Sequence, residues 1–155
     1  MIILHVIYHC VGGAHSSVLA TAIHLNKLPM ENKPTVDDIL NIPYFDNMTI
    51  RDRGKIMFRG TDEMGNCIYN LSRQFVPHLA IPLIEDTWRL LNGHCDDLMI
   101  ISTLSTVNFL MKLGGFTSRR MNWVRFGRPI VARGSLQAYF DVVKIVEETK
   151  TKLRQ

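Results

Sequence analysis

The segment His9-Cys10-Val11-Gly12-Gly13-Ala14-His15-Ser16-Ser17 concentrates a thiol, two imidazoles, two hydroxyls and two adjacent glycines in one short stretch. A thiol just before a helix start is driven toward the thiolate, the form that attacks electrophiles. Imidazoles carry protons near neutral pH. Hydroxyls and glycine-loop N–H groups bind oxyanions. The expected chemistry is binding of a phosphorylated or otherwise anionic small molecule, with phosphoryl transfer or hydrolysis at Cys10 or His15. Gly12, Gly13, Ala14, Ser16 and Ser17 would supply the anion contacts.

Each assignment has a plainer rival. Cys10 is either a reactive thiol or a small hydrophobe closing a strand. Ser16 and Ser17 either touch the anion or cap a helix. Gly12 and Gly13 permit close backbone approach, or simply a tight turn. Side-chain alternation puts His9 on the opposite side of its strand from Cys10. His24, two and a half helical turns beyond His15, faces away from the loop and is read as structural.

The flanking elements suit an anion pocket. The apolar run Ile2–Tyr8 reads as a strand buried on both faces, and Val18–Leu25 reads as a helix. The first N–H groups of a helix lack internal partners, and its dipole favours negative charge there. Further along, Thr35 suits the N-cap of a short helix, Val36–Leu40. Lys55–Gly60 and Cys67–Leu71 read as a hairpin, and its polar turn accounts for Asp62, Glu63 and Asn66. Phe75–Leu91 is a predicted helix with Pro77 in its first turn, a kink or restart at Pro82, and Gly93 at its end.

Leu98–Ile101 is a buried strand, followed by a helix Thr106–Leu113 that stops at Gly114-Gly115. Pro129–Ala132 reads as another strand. Gly134-Ser135 then opens a long amphipathic helix with Leu136, Tyr139, Phe140, Val143 and Val146 on one face. This alternation predicts an α/β, layered, Rossmann-like domain with a mainly parallel sheet, the hairpin forming an insertion or antiparallel edge. Ligands of such sheets bind at the carboxyl ends of the strands. Three segments should therefore converge: Cys10–Ser17, Ser102–Thr106 and Arg133–Ser135.

Two known loops bear comparison. In the Walker A pattern a lysine and a hydroxyl follow the second glycine. Setting Ser16 at that hydroxyl leaves His15 at the lysine, Ala14 at one glycine and His9 at the other, which argues against an ordinary NTPase. The loop also resembles that of low-molecular-weight tyrosine phosphatases and arsenate reductases: cysteine, five residues, arginine, then serine or threonine. Cys10, Gly12 and Ser17 match it, and Ser16 stands where the arginine belongs. That resemblance implies a guanidinium clamp on the oxyanion. Here it would have to come from elsewhere, with Arg119, Arg120 and Arg128 as candidates. The Asp-Pro typical of the low-molecular-weight enzymes does not occur in the chain.

The 155 residues, 46% hydrophobic and 21% charged, suit one soluble globular domain. No apolar run approaches the ~20 residues of a membrane span, and Met1–Tyr8 is too short for a signal peptide, so no membrane association and a cytoplasmic location are expected. Three cysteines without a CxxC indicate neither a disulfide framework nor a zinc ribbon. His9, Cys10, His15, His94 and Cys95 show no ligand spacing, so no metal is expected and no cofactor is indicated. A net charge of +4 is too modest for a nucleic-acid surface. An anionic small molecule is the expected partner, and oligomeric state is left open.

Three groups of residues carry a wider resemblance: Tyr8-His9-Cys10 with Gly12–Ser17; Gly60–Glu63 with Gly65-Asn66 and Tyr69; and Gly114–Phe116 with Ser118–Arg120 and Gly127–Pro129. Together they resemble, over nearly the whole chain, a bacterial family known as domain of unknown function 3189, found in spore-forming clostridia and relatives. The resemblance implies no activity and no catalytic residues. It leaves a second class open, a non-catalytic regulatory or sporulation-associated interaction protein with a degenerate anion loop.

Overall fold

The computed structural model describes residues 2–119 and 124–154. Strand β1 (His5–Cys10) runs between β3 (Cys67–Ser72) and β4 (Leu98–Ser102), parallel to both. β2 (Ile56–Thr61) pairs antiparallel with β3 and completes the sheet order β2-β3-β1-β4. The expected α/β layering with a mainly parallel sheet is present, and the hairpin is its antiparallel edge. Every residue of β1 after His5 is buried, as its unbroken apolar run requires.

Register assigns the two faces. Val6, Tyr8, Ile68, Met99 and Ile101 share one side with the core residues of α1 (Ser16–His24) and α6 (Tyr139–Leu153). His5 and Ile7 turn to the other side, where α3 (Pro77–Asn92) lies and the Trp88 ring sits 4.8 Å from that of His5. β1 therefore leads into a helix on one face and β3 into a helix on the other. The two departing loops diverge at the carboxyl ends of adjacent strands, which opens a crevice there.

Local signals placed several boundaries well. Thr35 caps α2 (Val36–Leu40) through a capping box with Asp38. Pro77 opens α3, where its missing N–H costs nothing, and Gly93 ends it with φ 80°.

The last third departs from expectation. α4 (Phe109–Arg119) runs straight through Gly114 and Gly115, and α5 (Val124–Gln137) is a single helix where a strand at Pro129–Ala132 was expected. A Cβ on Gly114 would lie 2.5 Å from Val131 N, and one on Gly134 would lie 2.7 Å from Met111 N. These glycines mark the contact of two helix backbones, whose packing offsets a helix-propensity loss of about 1 kcal/mol each. An apolar run as short as Pro129–Ala132 carries no period that separates a strand from a buried helix. Val131 and Ala132 are its buried members, on the inward side of α5.

Two further expectations change with it. The long final helix breaks at Ala138 into α5 and α6, which leaves Phe140 47% exposed, outside the buried stripe. Arg133–Ser135 lies within α5, so it is not a strand-end turn and does not join the other two segments at the sheet edge. None of the described helices is long and apolar enough to cross a membrane.

Candidate active site

The backbone of the Cys10–Ser17 loop is held by its carbonyls. Cys10 O accepts Arg73 N–H at 3.2 Å, and Val11 O accepts Gln74 N–H at 3.0 Å. Gly13 O accepts the Asn70 side-chain amide at 2.7 Å, and Ala14 O accepts Asp46 N–H at 3.0 Å. Peptide planarity then turns the N–H groups of Ala14 and His15 away from the scaffold. Gly13 has φ 64°, and a Cβ there would stand 2.6 Å from that of Ser72, so no other residue fits without movement.

Cys10 is buried at the floor of this loop. Its Sγ accepts the Gly13 N–H at 3.1 Å and lies 3.2 Å from Ser17 Oγ. With the sulfur as thiolate, the Ser17 hydroxyl is the donor of that contact. Ser17 thus serves the sulfur, while His15 occupies the N-cap position of α1 without a side-chain cap.

Ser16, at the position where the related loops carry arginine, is also buried. Its Oγ lies 2.9 Å from Thr103 Oγ1, which itself donates to His9 O at 3.1 Å. Thr103 has therefore used its proton, so Ser16 donates to Thr103 and offers an anion its backbone N–H alone. The pair ties the Cys10 loop to the end of β4, so two of the three expected segments do meet.

His15 Nε2 lies 2.8 Å from Asp46 Oδ1, a carboxylate whose side chain is wholly buried. Neutral His15 donates Nε2–H to Asp46, which leaves Nδ1 as the acceptor; among the described residues Nδ1 has no hydrogen-bond partner. The ring rests against Phe45, with centroids 5.6 Å apart, and against α4 at Gly115, where a Cβ would stand 2.9 Å from Cε1. Asp46 was not foreseen from sequence. Its one local sign is an aspartate after Tyr44-Phe45 in a turn, and Asp46 itself has φ 51°.

Above the loop is a cleft of about 660 Å³ whose lining includes Cys10, Gly12, His15 and Ser16. Gln74 and Phe75 border it after β3; Leu104, Val107, Met111 and Phe116 border it on the β4–α4 side. Its cationic side chains are Arg53 and Lys112, and neither was singled out by sequence because each is one exposed base among many. Among the described residues, no aspartate or glutamate lines the cleft or lies within ion-pair distance of either.

Arg128, proposed as a clamp, is placed elsewhere. Its guanidinium donates to Leu40 O at 3.2 Å and Phe45 O at 3.5 Å, so it closes the end of α2 and is absent from the cleft lining. Arg128 belongs to helix α5, which packs on α2, and so its side chain reaches α2 and not the cleft. The Arg119 side chain and Arg120 lie outside the described residues.

Three other histidines, His9, His24 and His94, have structural partners. His9 does point away from Cys10, accepting Arg73 Nε–H at 3.3 Å. Burial, and then the Arg73 charge, push its pKa down to about 4. His24 is fully buried, 2.8 Å from Tyr8 OH and 3.2 Å from Asp62 Oδ2. Burial lowers its pKa even though the Asp62 contact opposes the shift. His94 pairs with Asp97 at 3.4 Å, before β4 and so at the opposite end of the sheet. Among the described residues, no cluster of three His, Cys, Asp or Glu side chains could hold a metal ion.

No curated protein and no solved structure matches the chain. The family model described as "Protein of unknown function (DUF3189)" matches residues 5–151, nearly the whole chain, and the protein belongs to that family.

Proposed function

We propose that the protein binds an oxyanion-bearing small molecule, phosphorylated or otherwise anionic, over the Cys10–Ser17 loop. The observation that carries this reading is the cradled sulfur: Cys10 Sγ held by Gly13 N–H and Ser17 Oγ beneath the cleft. Donors that converge on the sulfur belong to a loop whose N–H side attracts negative charge. Arg53 and Lys112 at the rim supply the positive charge that Ser16 cannot. Free Cys10, Cys67 and Cys95 fit a reducing, cytoplasmic setting.

A thermal-shift series with phosphate and sulfate tests the binding, since a ligand selective for the native state raises Tm. Millimolar anion should raise Tm in wild type and not in a Cys10→Asp variant, whose carboxylate occupies the floor. An unchanged wild-type Tm with every anion would remove this reading.

A second reading adds catalysis, and the buried Asp46 behind His15 favours it. The Cys10 thiolate bonds to the phosphorus of a phosphomonoester while the P–O bond to the leaving group breaks. Protonated His15 gives its proton to the departing oxygen. Water then loses a proton to His15 and attacks phosphorus; the S–P bond breaks, releasing phosphate and regenerating the thiolate. Iodoacetamide alkylation of Cys10 across pH, in a Cys67→Ser/Cys95→Ser background, separates the two readings. Selective reaction below pH 7 supports the nucleophile. Its absence, with anion binding intact, leaves a sensor or interaction protein.

A further inference from the structure

The cleft is far larger than the anion its floor would hold. A volume of about 660 Å³ lies in the range of sites that enclose whole organic ligands. An inorganic oxyanion seated on the loop would leave most of that space to water. The walls are also of the wrong chemistry for a purely polar guest. Phe75, 80% exposed, stands on the β3 side, while Leu104 and Phe116, 42% and 50% exposed, stand on the β4–α4 side together with Val107. Exposed apolar residues gathered around one concavity signal a surface that a ligand covers.

Charge is distributed along the same axis. Cys10, Gly12, His15 and Ser16 form the floor, Arg53 and Lys112 stand at the side, and no carboxylate among the described residues lines the cleft. We infer, resting on the anion reading above, that the ligand is amphipathic: one oxyanionic head carried on an apolar body. The head meets the loop, and the body lies between Phe75 and Phe116. Neither part alone accounts for both the floor and the walls.

Binding of three probes, measured by calorimetry on the full chain, tests the inference: inorganic phosphate, 1-naphthylmethylphosphonate and 1-naphthylmethanol. The phosphonate resists hydrolysis, so affinity is read without turnover. It should bind about tenfold or more tighter than phosphate, because the added ring buries apolar area. A Phe75→Ala/Phe116→Ala variant should cut that advantage to about threefold or less. Equal affinities for phosphate and phosphonate would overturn the amphipathic ligand and spare the anion reading. Binding of the alcohol as tight as that of the phosphonate, or no binding of either anion, would overturn both.

Discussion

Asp46 holds His15 from behind: a wholly buried carboxylate lies 2.8 Å from Nε2, and the Asp46 N–H is fixed to Ala14 O at 3.0 Å. One residue thus anchors both the loop backbone and the ring that projects from it. Such a carboxylate selects the imidazole tautomer and fixes ring orientation. In wild type the neutral ring should carry its proton on Nε2, readable from the imidazole nitrogen NMR shifts. Asp46→Ala should yield a mixture of tautomers, whereas an unaltered spectrum would mean that packing against Phe45 and Gly115 alone sets the ring.

Ser17 contributes to Cys10 in the same indirect way. Its hydroxyl lies 3.2 Å from Sγ, and one hydrogen bond to a charged group is worth about 1.5–3 kcal/mol. Ser17→Ala should therefore slow alkylation of Cys10 at pH 7 about tenfold. Rescue by Ser17→Thr, which restores the hydroxyl, would separate this effect from disturbed packing. Equal rates in Ser17→Ala and wild type would leave Gly13 N–H as the main support of the sulfur.

Gly13 and Gly54 share a left-handed backbone but differ in surroundings, and this sets different costs. A Cβ on Gly13 meets Ser72 at 2.6 Å, whereas one on Gly54, at φ 76°, meets nothing within 4 Å. Gly54→Ala should cost about 1 kcal/mol, the conformational penalty alone. Gly13→Ala adds a backbone collision and should cost about 2–4 kcal/mol. Urea denaturation of the two variants checks the ranking, and equal losses would show that the loop yields freely.

Acid should destabilise the fold through two buried histidines. Burial together with Arg73 takes the pKa of His9 to about 4, so it is neutral in the native state at pH 6, and burial likewise lowers the pKa of His24 below its ordinary value. The unfolded chain binds their protons from about pH 6.5 downward. Their contribution is thus fully present above that value and lost as pH falls toward the native pKa. Each histidine accounts for up to about 1.4 kcal/mol per pH unit. Asp62 acts lower: burial would raise its carboxyl, but hydrogen bonds from Asn66, His24 and Met64 outweigh that and hold it below its ordinary 3.8. Urea melts at pH 7.5, 6 and 5 should show this decline, and His24→Gln should flatten it.

Where local chemistry decides structure, the sequence was readable. Thr35 with Asp38, Pro77 with Gly93, and the run leading into Gly12-Gly13 each set their element through neighbours in the chain. Gly114 reads as a helix stop and Gly134 as a helix start, yet both lie within helices, because their role is set by each other's helix across the fold. The loop of the site was legible for the same reason that its walls were not. Cys10, Gly13 and Ser17 are a local motif, while Arg53 and Phe75 reach the cleft, and Asp46 reaches His15, only through tertiary packing. No spacing in the chain marks them.

The cations give the sharpest contrast between a structural arginine and a functional one. Arg128 donates to the carbonyls of Leu40 and Phe45, while Arg53 and Lys112 line the cleft with exposed side chains. Arg128→Met removes those donors from partly buried carbonyls and should lower stability by about 1–3 kcal/mol, leaving phosphate affinity unchanged. Arg53→Ala and Lys112→Ala should do the reverse. Each surface change should alter stability by no more than about 0.5 kcal/mol. Each should weaken phosphate binding about two- to fivefold and reduce its salt dependence, because an exposed charge acts on an anion through a screened field. Calorimetric titration of phosphate at two salt concentrations reads both effects. Weakened binding in Arg128→Met alone would return the clamp to α5 and remove Arg53 and Lys112 from the site.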